Sequence, residues 1–364
     1  MKKFELTTDT KMHLGLKLFR IKALVSFGDV EKGTLGGYVE KEENLDHEGN
    51  AWVYDDAWVC GNAKVCGNAK VYRNAKVCGN ADVYGNAFVC GNALVYGNAD
   101  VCGNAKVCGN AKVYRNAKVC GNADVYGNAF VCGNALVCGN ADVCGNAMVC
   151  DNAKVSDNAM VYGDALVCGN ADVYGNAKVY GNADVYGNAD VYGNAKVYDI
   201  AWVSGDAKVY DSAWVYGNAK VCGNAKVYGN AFVYGNAFLC GNAMVYGNAF
   251  VCDNAKVSGN ADVCGNADVC GNADVCGNAM VCDNAWVSDN ADYATVKGFG
   301  TQCRATTFFK CKDRKIHVAC GCFKGTIEDF RKQVKATRTG KIEKEYLMIA
   351  DLMELHFEKD ESEE

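Results

Sequence analysis

Apolar and polar residues alternate with a six-residue period over most of the chain. An alanine stands at position 51 and at every sixth position through Ala291, and up to Val287 a valine follows each alanine two residues later, with Leu239 as the one exception. The unit reads Ala-x-Val-(Tyr, Cys or Ser)-Gly-Asn and recurs forty times in succession. Because six is a multiple of the two-residue period of a strand and not of the 3.6-residue period of a helix, the pattern predicts short strands.

Each hexad is predicted to be one short strand followed by a corner. Alanine and valine, two residues apart, point to the same side and fill an interior, whereas x and the Tyr/Cys/Ser position point outward. Gly-Asn supplies the corner, since both residues tolerate a positive φ. One such strand buries little surface, so we expect the repeats to stack coil on coil into an all-β solenoid.

The hexad resembles the hexapeptide repeat of left-handed parallel β-helices. That resemblance implies left-handed, triangular coils of three hexads, so that residues 18 apart lie above one another and forty hexads give about 13 coils. We then expect ladders of asparagine amides along the corners. Tyrosines 18 apart either stack or point independently into solvent, in two columns: Tyr162, Tyr180, Tyr198, Tyr216 and Tyr234, and Tyr174, Tyr192, Tyr210, Tyr228 and Tyr246.

Residues 1–50 lack the six-residue pattern of the repeats and are predicted to form an N-terminal β cap, with residues 51–291 as the β-helix. Strands are expected at residues 4–6 and 18–24, and turns at Gly33, Gly36 and Gly37. The glycine-rich segment 27–39, which leads into residues 49–54, is similar to the N-terminal signature of the YdcK-like hexapeptide proteins of bacteria and prophages. Those proteins are often described as transferases on the basis of fold alone. The resemblance implies a left-handed β-helix and assigns no reaction.

Residues 292–364 are predicted to form a small α+β domain. A hairpin is expected between residues 306–312 and 315–319, and Thr326 and Asp329 resemble a capping box that opens a helix. The domain is either a cap on the last coil or a partner-binding domain, and residues 358–364 form an acidic tail. A second helix from about Lys341 carries one apolar stripe, formed by Ile342, Tyr346, Ile349, Ala350, Met353 and Phe357.

Charge and targeting signals limit the classes of partner. The net charge is −6, and residues 51–290 hold 15 Lys plus Arg against 21 Asp without any basic stripe, which argues against nucleic-acid binding. No run of residues approaches the length of a membrane span, and residues 1–14 lack a signal-peptide core. We therefore expect a cytoplasmic protein, with which the 23 cysteines agree only if they are reduced thiols.

Histidines are missing from the repeats, which argues against the chemistry of related folds. The hexapeptide acyltransferases that share the fold use a histidine base, and the carbonic-anhydrase branch binds zinc through three histidines. Here His13, His47, His317 and His356 all lie outside residues 51–290. We therefore expect no catalytic, cofactor-binding or metal-binding residue. The alternative is a hexapeptide-type acyltransferase-like enzyme that acts at a subunit interface.

The cysteines are expected to serve as outward packing positions or as disulfides. In the repeats they interchange with tyrosine and serine, which suggests a tolerant position and not a ligand. With three hexads per coil, thiols stack at about 5 Å, within the range of a disulfide. Such columns include Cys102, Cys120 and Cys138, or Cys132, Cys150 and Cys168, whereas Cys303, Cys311, Cys320 and Cys322 lack a standard zinc spacing.

Some outward positions carry large apolar residues and form the candidate interaction surface. Trp214, Phe232 and Phe250 are 18 apart and fall on one face, Phe238 lies around the corner from Phe232, and Trp202 is one hexad before Trp214. Exposed aromatic residues are enriched at protein interfaces. We therefore expect a non-catalytic rigid scaffold that binds a protein partner or a second copy here, unless a random mixture of outward residues produced the stripe. Phe130, Met148 and Leu166 form a comparable stripe.

Overall fold

The six-residue repeats form the strands and corners of parallel β-solenoids in the computed structural model, which describes residues 1–13 and 15–358. The chain divides into two units, Met1–Gly193 and Asn194–Glu364. Most strands consist of x and the following valine, from Trp52–Val53 to Asp190–Val191 in the first unit and from Lys196–Val197 to Trp286–Val287 in the second. Three strands run on into the corner: Lys76–Gly79, Leu94–Gly97 and Lys112–Arg115.

Strands three hexads apart pair in parallel, as the triangular coil predicts. Phe88 lies beside Lys106 in the first unit, and Trp214 lies beside Phe232 in the second. Three sheets result, one for each hexad of a coil. The predicted solenoid and its three-hexad period are therefore confirmed, whereas left-handedness stays an expectation from the family resemblance.

Alanine and valine fill the interior of both units. The repeat alanines from Ala51 to Ala285 and all the repeat valines are essentially inaccessible to solvent, whereas Ala291 is exposed, and Leu239 occupies a valine position with the same burial. Full burial of one valine side chain contributes on the order of 1.5 kcal/mol or more, so the repeated core is a large stabilising term. Backbone N–H groups donate to carbonyls of the following coil, as between Lys106 N and Ala123 O at 3.0 Å.

The corner requires the left-handed backbone region only at the glycine. Gly247 has a φ of +75°, and a Cβ placed there would lie 3.0 Å from the backbone N and O of Gly265 in the next coil. Among the described repeat residues, the glycine uses the positive φ that both corner residues tolerate, and the asparagine that follows it does not. Glycine therefore provides both the turn and the close approach of coils.

Aspartate replaces glycine at several corners and accepts a bond from the next coil. Asp151 has a φ of +60°, which short polar side chains tolerate better than others. Its Oδ2 accepts the N–H of Gly169 at 3.2 Å, and Asp157 accepts that of Gly175 at 3.1 Å. This bond offsets part of the conformational cost of the substitution.

Three antiparallel strands precede the first coil: β1 (Phe4–His13), β2 (Leu16–Ala23) and β3 (Leu35–Val39). Gly33 lies in a turn at φ +93°, as predicted. Gly36 and Gly37 lie inside β3 instead, so their prediction as turn residues was wrong. A Cβ at Gly36 would lie 2.6 Å from the carbonyl oxygen of Val53, so the reason for glycine there is close packing.

An irregular coil joins β3 to the repeats. Val39 pairs in parallel with Val59, and Leu45 forms a bridge with Val65. The partners in each pair are 20 residues apart, two more than the 18 residues of three hexads. Residues before the first perfect hexad therefore add one coil to the stack. The solenoids amount to about 14 turns, against the 13 expected from the hexads alone.

Some backbone carbonyls of the first coil have no preceding coil to accept hydrogen bonds from. Side chains of the N-terminal segment donate hydrogen bonds to them instead. Lys3 Nζ donates to the carbonyl of Ala51 at 3.0 Å, and Asn44 Nδ2 donates to that of Ala63 at 2.8 Å. Burial lowers the pKa of Lys3 to about 8. Buried polar side chains therefore cap the open edge.

The last coil has backbone N–H groups without a following coil, and side-chain oxygens accept their bonds. Asn290 Oδ1 accepts from the N–H of Asp274 at 2.8 Å, and Thr307 Oγ1 accepts from that of Met280 at 2.9 Å. Thr307 belongs to the C-terminal sheet. That part of the chain therefore covers the last coil, as one of the two expectations for it required.

The C-terminal part forms a four-stranded antiparallel sheet and two helices, α1 (Ile327–Thr337) and α2 (Gly340–Phe357). The predicted hairpin and both helices are confirmed, and Thr326 Oγ1 accepts the N–H of Asp329 at 3.2 Å. Residues 359–364 of the expected acidic tail lie outside the described residues. Among the described helices, none is long and apolar enough to span a membrane. The strands are Tyr293–Phe299, Arg304–Lys310, Ile316–Cys320 and Phe323–Thr326, of which the first and last were not predicted.

Candidate interaction surface

Trp214, Phe232 and Phe250 form a continuous aromatic stripe on one face of the second unit. They occupy the x position of three paired strands, where alternation directs the side chain outward. The ring centroids of Trp214 and Phe232 are 5.4 Å apart, and those of Phe232 and Phe250 are 5.0 Å apart. Phe250 is 37% exposed. The predicted stripe is thus a packed row of partly accessible rings.

Trp202 and Phe238 share a neighbouring face, which the sequence prediction did not bring together. Lys220 lies between them, since Trp202 pairs with Lys220 and Lys220 with Phe238. Together with Ile200 at the corner they line the Trp202 groove, a surface cavity of about 500 Å³. Trp202 is 39% exposed and Ile200 54% exposed. The five candidate residues therefore form two apolar surfaces on adjacent faces.

Ammonium groups lie over the tryptophan rings of both surfaces. Lys196 Nζ is 3.9 Å from the ring centroid of Trp214, and Lys220 Nζ is 4.9 Å from that of Trp202. Cation–π contacts of this kind contribute about 0.5–1 kcal/mol at exposed sites. They hold the lysine chains against the rings and place positive charge beside the apolar surface.

The first unit carries the second predicted stripe. Phe130 pairs with Met148, and Met148 pairs with Leu166, on successive coils of one face. Met148 is 38% exposed, and the ring of Tyr114 meets that of Phe130 edge-on at 4.5 Å. This stripe contains one aromatic ring instead of three.

Helix α2 presents a further apolar face that the sequence prediction missed. Met348, Leu352 and Leu355 are 69%, 56% and 66% exposed. Their spacing of four and then three residues places them on one side of the helix, opposite the buried stripe. The sequence already shows this spacing, but only the buried stripe of the helix was predicted from it.

The tyrosine columns are stacked. Tyr162 and Tyr180 have ring centroids 4.8 Å apart and an interplanar angle of 2°, and Tyr216 and Tyr234 are 5.0 Å apart at 5°. Independent rotamers would not produce angles this small, so the stacked alternative is confirmed for these pairs. A row at Tyr96 and Tyr114 was not predicted.

Asparagine ladders follow the corners as expected. Asn248 Oδ1 accepts from Asn230 Nδ2 at 3.2 Å, and Asn248 Nδ2 donates to Asn266 Oδ1 at 3.0 Å. Each asparagine amide in the interior of a ladder thus accepts one bond and donates one. The corner is therefore bonded by backbone and side chain together.

The thiol columns are packed closely enough to influence one another. Burial, followed by the thiols of Cys102 and Cys138, raises the pKa of Cys120 to about 11. Cys90 and Cys108 form a disulfide with Cα atoms 4.6 Å apart, a pair that the sequence prediction did not single out. The columns that were predicted consist of free thiols.

Three groups of side chains bring metal-ligating atoms within 4.8 Å of one another in the described part of the chain. Two lie on the solenoids and combine a stacked cysteine pair with a corner aspartate. The third lies in the C-terminal hairpin. The groups are Cys150, Asp151 and Cys168; Cys252, Asp253 and Cys270; and Cys311, Asp313 and His317.

The four histidines have packing or ion-pair partners. The His13 ring lies 4.6 Å from that of Trp58, and His47 stacks on Phe4 at 4.5 Å. His317 Nε2 lies 3.3 Å from a carboxylate oxygen of Asp313, and the ring centroids of His356 and Phe357 are 4.9 Å apart. None of these contacts forms a nucleophile–base arrangement on the solenoids.

The solenoid repeats match a known repeat model. The YdcK beta solenoid repeat matches residues 87–103, 153–169 and 237–253. The solved structure of Arabidopsis UDP-N-acetylglucosamine acyltransferase is similar over 57% of this chain and 70% of that chain, with 14% identity and a TM-score of 0.36. That score supports no argument about activity. No curated protein matches the chain.

Proposed function

The chain carries YdcK β-solenoid repeats, and from that premise we propose that it is a non-catalytic scaffold that binds a protein partner through the aromatic stripe and the Trp202 groove. The observation that carries the proposal is the packed row of Trp214, Phe232 and Phe250 beside a second apolar surface on the adjacent face. Outward positions of a soluble repeat otherwise carry mainly lysine and aspartate in this chain. Among the x positions, aromatic residues fall on three successive coils of one face only at these three positions, and this is the feature that a partner would recognise.

Rigidity makes these rings suited to binding. They project from strands whose alanine and valine neighbours are fully buried, and ring-to-ring contacts restrict their rotamers. Little conformational entropy is then lost when a partner covers them. Tryptophan is also among the residues that contribute most to interface energies.

The charges beside the rings indicate the chemistry of the partner. Lys196 and Lys220 place ammonium groups at the edge of both apolar surfaces. A partner segment with apolar side chains flanked by carboxylates would match both features. We place this interaction in the cytoplasm, where the free thiols stay reduced.

The test is the double variant Trp214→Lys with Phe232→Lys. We expect the variant to lose bound proteins in affinity purification from the native cell, followed by mass spectrometry. If the partner is a second copy, light scattering should instead show the mass falling to that of one chain. Loss of a hot-spot ring costs about 2 kcal/mol or more, which is roughly a 30-fold weaker complex.

Phe130→Lys with Met148→Lys is the matched control, because it places the same charges on an apolar stripe of the first unit. It should leave bound proteins and mass unchanged. Circular dichroism establishes that both variants keep their β structure. Unchanged mass and unchanged bound proteins in the Trp214 variant would contradict the proposal.

Acyl transfer is tested separately by calorimetry with acetyl-CoA. We expect no heat of binding for the scaffold. Specific binding of acetyl-CoA would favour the enzyme alternative, in which the end segments supply the reacting groups at a subunit interface.

A further inference from the structure

The C-terminal hairpin brings together three different metal-ligating side chains. The thiol of Cys311, a carboxylate oxygen of Asp313 and an imidazole nitrogen of His317 lie within 4.8 Å of one another. Sulfur, oxygen and nitrogen ligands of these types are those that zinc binds in proteins. We propose that Cys311, Asp313 and His317 bind a divalent cation of the zinc type, which stabilises the hairpin turn.

The turn holds its ligands in place through backbone bonds. The N–H of Arg314 donates to the carbonyl of Cys311 at 2.8 Å, and the N–H of Cys311 donates to the carbonyl of Lys315 at 3.0 Å. Arg314 adopts a φ of +64°, which closes the turn. The backbone at Cys311 and Asp313 is therefore fixed before any cation arrives, and little ordering is required on binding.

The carboxylate of Asp313 is oriented towards His317. One oxygen, Oδ1, accepts the N–H of Lys315 at 3.0 Å, and the other, Oδ2, lies 3.3 Å from His317 Nε2. In a tetrahedral zinc site with bonds of about 2.0–2.1 Å, two oxygen or nitrogen ligands lie about 3.3–3.4 Å apart. The observed separation fits a cation bound between them.

The charges around the thiol favour a cation. The carboxylates of Asp313 and Asp283 lie close enough to act electrostatically on the Cys311 thiol. Lys312 also acts on the thiol, but its charge is paired, since its Nζ lies 2.8 Å from a carboxylate oxygen of Asp268. On binding, the thiol loses its proton to solvent as the sulfur–metal bond forms, and the neutral imidazole and the carboxylate bind without losing a proton.

The location gives the cation a structural effect. Cys311 forms a bridge with Ala285, and the N–H of Lys312 donates to the carbonyl of Asn284 at 3.1 Å, so the turn lies against the last coil. The Asp313 side chain is 48% exposed, which provides a route from solvent. A bound cation should therefore stabilise the contact between the hairpin and the coil.

The two clusters on the solenoids serve as internal controls. They contain cysteine and aspartate but no nitrogen ligand. Their aspartates are also engaged at the corner, as Asp253 Oδ2 accepts the N–H of Gly271 at 3.2 Å. A variant of the Cys252 cluster thus changes thiol content without changing the hairpin.

The experiment titrates the full-length chain with zinc sulfate by calorimetry, and with cobalt(II) in an absorption assay that detects thiolate ligation. We expect one tight site that weakens at least about 100-fold in His317→Gln and in Asp313→Asn, because loss of a ligand should exceed the 10–100-fold typical of an outer-shell change. Cys252→Ser should keep the tight site. Equal zinc affinity in wild type and in both hairpin variants would overturn the proposal.

Histidine NMR provides a measurement that does not depend on how the variants fold. The chain contains four histidines, so its imidazole signals are few. Zinc should shift the ring signals of His317 in the wild-type chain and leave those of His356 unchanged. Absence of a His317 shift at saturating zinc would exclude this site even if zinc binds at the cysteine columns.

Discussion

At the scale of single residues, the glycine corner determines how closely one coil lies on the next. Two separate costs arise when a side chain is added there. The left-handed backbone is unfavourable for a residue with a Cβ by roughly 1–2 kcal/mol, and the Cβ also meets backbone atoms of the following coil. Gly277 separates the two effects, because its φ is +71° but no atom lies within 4 Å of the position that a Cβ would take.

Gly247→Ala is therefore expected to destabilise the chain more than Gly277→Ala. At Gly247 the new Cβ would lie 3.0 Å from backbone atoms of Gly265, so both costs apply, whereas Gly277→Ala incurs the backbone cost alone. Thermal unfolding of both variants measures the difference. Equal shifts of the midpoint would show that coil-to-coil contact at the corner has no energetic role.

The asparagine ladder permits a similar comparison at the same corner. Asn248 makes two ladder bonds, whereas Asn278 at the end of its ladder accepts one from Asn260 at 3.1 Å. A net hydrogen bond contributes about 0.5–1.5 kcal/mol, less where water competes. Asn248→Ala should lower the unfolding midpoint more than Asn278→Ala. An equal or smaller effect of Asn248→Ala would contradict an additive ladder.

At the scale of one strand stack, like charges on successive coils set a pH dependence. Asp124 pairs with Asp142, and Asp142 pairs with Met160 on its other side. Burial, followed by the Asp124 carboxylate, raises the pKa of Asp142 above its ordinary value. The folded chain thus binds this proton more readily than the unfolded chain. Its contribution to stability grows as the pH falls through the folded pKa and is complete below the unfolded pKa.

Asp142→Asn should therefore stabilise the chain at neutral pH and reduce its gain in stability between neutral and mildly acidic pH. Thermal midpoints of wild type and variant across that range measure the effect. Asp56→Asn, at an exposed corner, is the control and should leave the pH profile parallel to that of wild type. A steeper gain on acidification in Asp142→Asn would contradict the assigned direction.

The presence of the strands and their six-residue period could be predicted because the same alternation of inward and outward residues is repeated in every hexad. Every valine is surrounded by equivalent neighbours three hexads away, so alternation and stacking gave the core, the ladders and the tyrosine columns. The sequence could not show where this alternation and the 18-residue stacking are interrupted. The longer offset at Val39 and the placement of Gly36 depend on packing against β1, β2 and Trp52, which no local pattern records.

The candidate surface was predicted in part for the same reason. Counting along the chain by three hexads identified Trp214, Phe232 and Phe250, because those positions obey the repeat. The Trp202 groove also needs Ile200, a corner residue that departs from the repeat, and a count along one column does not find it. Cys311, Asp313 and His317 come together only when a hairpin closes, so cysteine spacing alone missed them.

At the scale of the whole chain, each coil contacts only its neighbours, and stability should follow the number and register of coils. The boundaries 51 and 291 for the β-helix stay predictions. Residues 63–100 recur almost unchanged at 105–142, a shift of seven hexads. Whole hexads have therefore been added without loss of the inward alanine and valine pattern.

Deletion of residues 123–140 should consequently leave the chain folded with a small change in thermal midpoint. This segment is three hexads, or one coil. Each strand that follows the deletion can therefore pair in register with the strand of the same sheet that precedes it. Deletion of residues 123–125 is the control, because the loss of half a hexad breaks the register between the coils on either side of the deletion. Circular dichroism and thermal unfolding distinguish the two. Equal damage by both deletions would contradict stacking by nearest neighbours.

The strands of successive coils pair in parallel, so each open edge of a stack presents both N–H and C=O groups. Lys3 and Asn44 donate to carbonyls of the first coil, and Asn290 and Thr307 accept from N–H groups of the last coil. An uncovered edge of this kind is a template for pairing with another strand, as the open end of a cytoskeletal filament is for its next subunit. A chain stripped of its end segments would expose both edges, and head-to-tail fibre growth is the outcome that we expect from it.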